Sequence, residues 1–193
     1  MADPADSKTG LAAVAEAAKQ APRSSDGARG LPPVHLWNPT HCGDIDIVIR
    51  PDGVWMHEGS PIGRAELVRL FSTVLRKDPD GYCLVTPVEK LAIRVEDLPF
   101  RAVRMVQGDG VLTFTTDVGD VVEAGAEHPI QVETDAETGE PSPSVHVRAD
   151  LWARIARPVF YDMVEMAGVE DGRLTVRSNG AAFALGPIGA GLE

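Results

Sequence analysis

Hydrophobic and polar residues alternate along much of the chain, and this alternation predicts β-hairpins. Ile45, Ile47 and Ile49 alternate with polar residues, and the pattern resumes at Val54 after the turn sequence Pro51-Asp52-Gly53. The segments "YCLVTP" and "KLAIRVED" predict two further strands. Sheet structure should therefore dominate the first half of the fold.

Two segments instead have the apolar spacing of amphipathic helices. The first runs from Arg64 to Lys77, with these apolar residues: Leu67, Leu70, Phe71, Val74 and Leu75. Ser60-Pro61 predicts its N-cap and first helical residue, and Gly63 with Glu66 is an alternative cap. The second has an i, i+4 stripe: Leu151, Ile155, Val159 and Met163. Pro158 should kink or restart that helix, because proline lacks a backbone donor.

The second half resembles the first. "RAVRMVQ" and "VLTFTTD" predict a hairpin, "PIQVET" and "SVHVR" continue a meander, and a last hairpin turns at Ser178-Asn179-Gly180. Arg64-Ala65-Glu66-Leu67 opens one predicted helix, and Arg148-Ala149-Asp150-Leu151 opens the other. We interpret this as internal duplication of a strand–helix–hairpin unit, with a chance likeness as the alternative.

The predicted fold is α+β, with an arm and two domains. Residues 1–33 are rich in Ala, Ser, Asp, Gly and Pro and should form a flexible N-terminal arm. Residues 34–98 should form an N-terminal α+β domain. Residues 99–193 should form a C-terminal domain with a mostly antiparallel sheet and one long helix.

The balance of charged residues limits the classes of molecule that the protein is expected to bind. There are 18 Lys and Arg against 29 Asp and Glu, for a net charge of −11. DNA, RNA and anionic membranes are therefore poor partners, because their binding depends on basic residues. A small anion needs only a helix N-terminus and one or two arginines. The two cysteines, and the absence of an apolar leader or a membrane-length apolar stretch, predict a cytoplasmic protein.

Several motifs together resemble the uncharacterised bacterial domain-of-unknown-function family 1285. They are "DGVWMHEGSPIGRAELVRLFSTVLRKDPDGYCLVTPVEKLAIRVEDLPF", "HP" at His128-Pro129 and "ARPVFYDMVEMA" from Ala156. The likeness covers Val34 to about Gly186. It implies a duplicated core with a pleckstrin-homology-like C-terminal half. It also implies a cleft between the halves for a nucleotide or nucleotide-derived ligand, and a role in signal transduction.

The stretch "WMHEGSPIGR" is the main candidate site. The residues that we single out there are Trp55, His57, Glu58, Ser60 and Arg64. Trp55 would form an apolar or stacking wall, whereas His57, Arg64 and the helix start would bind an anion. The apparent second copy, "SVHVRADL", lacks most of these residues, which favours a function for them. The alternative is that the turn only caps a helix.

Three smaller groups add candidates. Thr86, Glu89 and Lys90 form a turn that can offer donors and an acceptor, although a solvated ion pair is the plainer interpretation. Arg157 and Tyr161 share a helix face with Glu165, where they would hold an anion or simply pack two domains. His128 lies in a predicted turn.

Metal and nucleophile motifs are missing. His41-Cys42 with Asp44 and Asp46 matches no tetrahedral zinc spacing, and His57-Glu58 lacks a second histidine. There is no G-x-S-x-G elbow. We therefore expect no cofactor and no metal; a non-enzymatic role is favoured, and an enzymatic one stays open.

The leading hypothesis is a protein that binds a small anionic or nucleotide-like molecule, with Lys90 and Arg157 adding charge from opposite walls. The alternative is an adaptor that binds another protein through hairpin edges and the arm. A third hypothesis is a nucleotide hydrolase with Glu58 or Glu89 as general base.

Overall fold

The computed structural model describes residues 14–16, 19–20 and 31–187. These residues divide into two compact units, with the boundary between Asp97 and Leu98. Residues 14–16 of the predicted arm are helical, and the Val14 side chain is fully buried. The mobility predicted for most of the arm lies outside the described residues. No helix among those residues is long and apolar enough to span a membrane.

The first unit is a six-stranded sheet with short helices. A 3-10 helix at Val34–Leu36 precedes the sheet, and α1 spans Ala65–Thr73. The strands are β1 (His41–Ile49), β2 (Trp55–His57), β3 (Ser60–Pro61), β4 (Leu75–Asp78), β5 (Gly81–Val85) and β6 (Glu89–Val95). Their order across the sheet is β3-β2-β1-β6-β5-β4. Only β1 and β6, in the middle of this sheet, run parallel to each other.

The hairpins predicted for the first half are confirmed. β1 and β2 pair antiparallel with Ile49 opposite Trp55, and β5 pairs with β6. Ile45, Ile47 and Ile49 are all buried, as the alternating pattern predicts for one face of a strand. Each is at most 7% exposed, so this face of β1 belongs to the core.

Helix α1 is shorter than predicted, because the segment after Val74 is strand β4. The hydroxyls of Ser72 and Thr73 donate to the carbonyls of Arg69 and Leu70, at 2.8 and 2.6 Å. Side-chain bonds of this kind compete with helical backbone bonds and favour helix ends. The next residues then pair with β5, with Leu75 opposite Leu84.

The predicted helix start was also wrong. Ser60 and Pro61 are strand β3, and the N-cap is Arg64, which has extended backbone and no capping side-chain bond. The cause is a two-residue turn at Glu58-Gly59, where φ is 49° and 74°. Two successive positive φ values are typical of a tight β-hairpin turn. Asn or Asp is usual where Glu58 stands, so the sequence signal was weak.

The second unit contains a sheet of the same design. Its strands are β7 (Phe100–Gly108), β8 (Val111–Thr116), β9 (Val121–Glu123), β10 (Ile130–Thr134), β11 (Pro141–Arg148) and β12 (Leu151–Ile155). Their order is β10-β11-β12-β7-β8-β9, and β12 and β7 form the central parallel pair. The hairpins predicted at Gly108-Asp109-Gly110 and through the meander are confirmed.

The duplication is therefore real, but its unit is six strands rather than strand–helix–hairpin. Numbered within each sheet, both orders are 3-2-1-6-5-4. Helix α1 joins the third and fourth strands of the first sheet, where residues 124–129 form a loop in the second. Arg148-Ala149-Asp150-Leu151 is the turn between β11 and β12. Its counterpart is the β5–β6 turn, so the predicted match with Arg64-Ala65-Glu66-Leu67 was wrong.

The predicted long helix of the second half is a strand followed by a helix. Leu151, Ala153 and Ile155 are buried and alternate along β12, whereas α2 spans Arg157–Met166. Leu151 and Ile155 are four residues apart, a spacing that fits a strand face as well as a helix face. Pro158 lies in the first turn of α2, where proline is tolerated, so no kink results.

A third sheet completes the second unit. It contains β13 (Gly168–Glu170), β14 (Arg173–Ser178) and β15 (Ala181–Pro187), and the predicted closing hairpin is confirmed. The architecture is thus mostly β with few helices. The pleckstrin-homology-like description of the second half stays a prediction.

The buried Ser178 hydroxyl links this third sheet to the second by hydrogen bonds. It accepts a 2.8 Å hydrogen bond from the amide of Leu112 and donates a 2.6 Å bond to the carbonyl of Ala124. Beside it, a Cβ at Gly125 would lie 3.1 Å from the Asn179 side chain, so the turn packs tightly. One hydroxyl thereby satisfies the Leu112 amide of β8 and the Ala124 carbonyl of the loop that follows β9.

Replacing Ser178 by alanine should lower the free energy of unfolding by about 2–4 kcal/mol, because two backbone groups lose their partner. Urea unfolding measures this loss. Ser60→Ala is the control, since Ser60 is exposed and its change should stay within about 0.5 kcal/mol. Equal, small effects of both substitutions would contradict the role of Ser178.

Candidate functional site

Four of the predicted site residues line one surface depression of the first unit. They are His57, Glu58, Ser60 and Arg64, and the other lining residues are Pro61, Ile62, Gly63 and Leu67. Its volume is about 390 Å³, within the range of small-molecule sites. The main candidate stretch of the sequence thus forms one concave surface.

The β2–β3 hairpin and helix α1 build this depression. The Glu58-Gly59 turn reverses the chain, and the amide of Ile62 donates to the carbonyl of Trp55 at 2.8 Å. This bond holds the segment that leads into α1. Ile62 and Leu67 are half-buried and give the depression an apolar side, whereas Glu58, Ser60 and Arg64 are exposed.

The N-terminus of α1 opens at the depression without a side-chain cap. The carbonyl of the N-cap residue Arg64 accepts from the amides of Leu67 and Val68, at 3.0 and 3.2 Å. The first amides of a helix have no acceptor within the helix, and together they carry partial positive charge. Glu66 is the acidic residue of this first turn.

Arg64 is the main cationic group of the depression. Its side chain is exposed, and no carboxylate in the described part of the chain pairs with it. A guanidinium of this kind can bind a phosphate or carboxylate with two parallel hydrogen bonds. Guanidinium, helix N-terminus, imidazole and hydroxyl can together bind an oxyanion, with Glu58 as an acceptor for a hydroxyl or amine.

Trp55 does not form the predicted wall. Its side chain is 2% exposed and belongs to the core, and it does not line the depression. Within the described residues its Nε1 has no hydrogen-bond partner. The prediction failed because Trp55 lies opposite Ile49 in the sheet and shares its buried face.

Thr86, Glu89 and Lys90 lie on the β5–β6 turn and do not line the depression. The Thr86 hydroxyl is fully buried and accepts from the amides of Val88 and Glu89. Burial raises the pKa of the Glu89 carboxyl. Thr86 therefore stabilises the turn. Glu89 does not line the depression, whereas Glu58 does.

Lys90 belongs to an ion-pair network on the β5–β6 side of the sheet, and its role as a charge for a ligand stays a prediction. Its Nζ lies 2.7 Å from Asp78 Oδ2 and 3.2 Å from Asp80 Oδ2. The bond with Asp78 raises the pKa of the Lys90 ammonium. Burial raises the pKa of the neighbouring Cys83 thiol to about 11, so this thiol stays protonated at neutral pH.

Arg76 and Asp78 form the centre of this network. Arg76 donates to both carboxylate oxygens of Asp78, at 2.7 and 2.8 Å. Its Nη1 donates to the carbonyls of Val34 and Trp37, both at 2.8 Å. Hydrogen bonds from Arg76 lower the pKa of the Asp78 carboxyl to about 2. The network ties the chain before β1 to strand β4.

The remaining predicted residues lie in the second unit. His128 Nδ1 is 3.2 Å from the carbonyl of His146, and Tyr161 is 57% exposed on α2. Arg157 is exposed and lies 3.5 Å from Glu140. Arg157, Tyr161 and Glu165 share the exposed face of α2, as their spacing predicts.

Sequence reasoning missed His146. It lies in strand β11, its ring stacks on His128 with 5.5 Å between ring centroids, and its edge contacts Trp152. The predicted strand "SVHVR" gave no reason to distinguish this histidine. Its contacts arise where the loop at residues 124–129 meets the β11–β12 turn. Among the described residues no group of His, Cys, Asp or Glu could hold a metal ion.

These features define a mostly β protein with two related sheets and an anion-compatible depression on the first. The chain belongs to the DUF1285 family. Its N-terminal domain of unknown function matches residues 32–98, and its C-terminal domain matches residues 99–185. The resemblance drawn from the sequence motifs is confirmed.

Two crystal structures of DUF1285 proteins are similar to this chain. The protein from Silicibacter pomeroyi is 46% identical, with a TM-score of 0.79, covering 91% of this chain and 95% of that one. The protein from Shewanella baltica is 26% identical, with a TM-score of 0.51, covering 62% and 90%. No curated protein matches the chain. The comparisons therefore give the family and the fold without an activity.

Replacing Asp78 by asparagine should lower the free energy of unfolding by about 2 kcal/mol at neutral pH, because Arg76 and Lys90 lose an ionised acceptor. Asp80→Asn is the matched control. Asp80 contacts the same lysine but its side chain is 74% exposed, so its effect should be below about 1 kcal/mol.

The effect of Asp78→Asn should also depend on pH. The pKa of Asp78 is about 2 in the folded protein, against an ordinary value of 3.8. The stabilisation is therefore present above about pH 4 and is lost as the pH falls towards about 2. Urea unfolding at a series of pH values should show wild type and variant converging in acid. A constant difference would contradict this.

Proposed function

We propose that this protein binds a small anionic ligand, a nucleotide or nucleotide-derived molecule, in the depression beside helix α1, and acts in signal transduction. One observation carries the proposal. Arg64 has no ion-pair partner among the described residues, and it lies at an uncapped helix N-terminus within a concave surface. A helix N-terminus with an arginine is a favourable site for a phosphate.

The other lining residues fit the rest of such a ligand. Ser60 and Glu58 can hydrogen-bond sugar hydroxyls, and His57 can add a second contact to the phosphate. Ile62 and Leu67 offer the apolar surface for a base or another non-polar part. With Trp55 in the core, packing against these aliphatic side chains replaces the stacking first expected.

The site arrangement favours binding over catalysis. Glu58 is the carboxylate at the depression, and it lies on an exposed turn rather than in a site that excludes water. Glu89, whose pKa is raised, lies on another turn. We therefore propose a ligand-binding role rather than hydrolysis.

Thermal unfolding in the presence of mono-, di- and cyclic nucleotides tests this proposal. A ligand at a hundred times its Kd stabilises a protein by about 2.7 kcal/mol, which should raise Tm by roughly 5 °C. Arg64→Ala should weaken binding about 10- to 100-fold, because a charge-assisted hydrogen bond is lost. Isothermal titration measures the change in Kd.

Arg69→Ala is the matched control. Arg69 is exposed on the same helix but does not line the depression, so its removal should leave Kd unchanged. Equal effects of the two substitutions would refute the site. If no nucleotide raises Tm, the proposal fails, and capture of a protein partner that requires the N-terminal arm would support the adaptor alternative.

A further inference from the structure

His146 contacts a backbone carbonyl with each nitrogen of its ring. Nδ1 lies 3.0 Å from the carbonyl oxygen of Glu127, and Nε2 lies 2.5 Å from that of Ala149. A carbonyl oxygen only accepts hydrogen bonds, so each contact needs an N–H on the ring. Neutral imidazole has one N–H, whereas the imidazolium ion has two. Only the protonated ring can therefore make both bonds.

The two carbonyls belong to different loops of the second unit. Glu127 lies in the loop at residues 124–129, which replaces the helix of the first sheet. Ala149 lies in the β11–β12 turn with φ of 46°, a left-handed conformation that is unfavourable for alanine. The bond from His146 helps to hold this strained turn, and the same ring holds the loop.

His128 is the titratable side chain in contact with the His146 ring. His128 stacks on the ring and its Nδ1 faces the carbonyl of His146, so protonating both histidines would place two cations side by side. On the turn and its strand, Arg148 is paired with Asp120 at 2.6 Å and Asp150 is exposed. The charged residue of the loop is Glu127, and that of β12 is Arg154, which donates to the Ser142 carbonyl.

We propose that His146 is a pH-sensitive latch between the 124–129 loop and the Ala149 turn. In acid, the imidazolium ion holds both carbonyls. As the pH rises, the ring loses a proton to solvent, one nitrogen becomes an acceptor facing a carbonyl, and one of the two bonds breaks. The latch therefore stabilises the second unit at low pH and loses this contribution as the pH rises.

Ring ¹⁵N spectra of the labelled wild-type protein test the protonation directly. Both His146 nitrogens should be protonated at about pH 6, and one should lose its proton by about pH 9, with resonances assigned through bond correlations in the wild-type protein. The amide resonances of residues 124–129 and of Ala149 should shift along with the ring. A single protonated nitrogen at about pH 6 would overturn the latch.

Urea unfolding provides a second test, followed through amide resonances of the second unit. The midpoint of the wild-type protein should exceed that of His146→Gln by more at about pH 6 than at about pH 8.5. His35→Gln is the control, since His35 is an exposed histidine before the first sheet. If wild type and His146→Gln respond equally to pH, His146 has no such role.

Discussion

The parallel pairing of the first and sixth strands constrains both sheets. Parallel neighbours cannot be joined by a tight turn, because the chain must return to the same end before it pairs again. Here the four intervening strands make that return, leaving the centre towards one edge and coming back from the other. The crossing between the edges is the connection that differs most between the two sheets, with helix α1 in the first and a loop at residues 124–129 in the second. Both functional proposals, the depression beside α1 and the latch on the 124–129 loop, lie at this connection.

The sequence predicts the parts of this fold that depend on near neighbours. The alternation of Ile45, Ile47 and Ile49, and the glycine turns, were sufficient for most hairpins. The predictions failed where one spacing fits two structures, as between Leu151 and Ile155. They also failed at Leu75–Asp78, which was predicted to be helical but pairs with β5 as strand β4. The central parallel pairs join strands that are far apart in the chain, and no local pattern indicates them.

The same limit applies to the candidate site. His57, Glu58, Ser60 and Arg64 come together because a single hairpin and helix start hold them, so their closeness in sequence was informative. Sheet register decides that Trp55 is buried opposite Ile49 and that Lys90 meets Asp78, and no local pattern in the sequence indicates either contact. The surroundings of His146 depend on the meeting of two loops, and its neighbours in the sequence do not reveal them.

The contact of Arg76 with Val34 and Trp37 has a consequence for association. Exposed sheet edges invite pairing with other chains, and natural proteins shield them. One edge of the first sheet, β3, has two residues and includes Pro61, which has no backbone donor. The other, β4, is attached by Arg76 to the segment that precedes β1. The proline shortens the pairing ladder at one edge and the attached segment lies beside the other, and both features disfavour strand addition by a partner or by an aggregating copy.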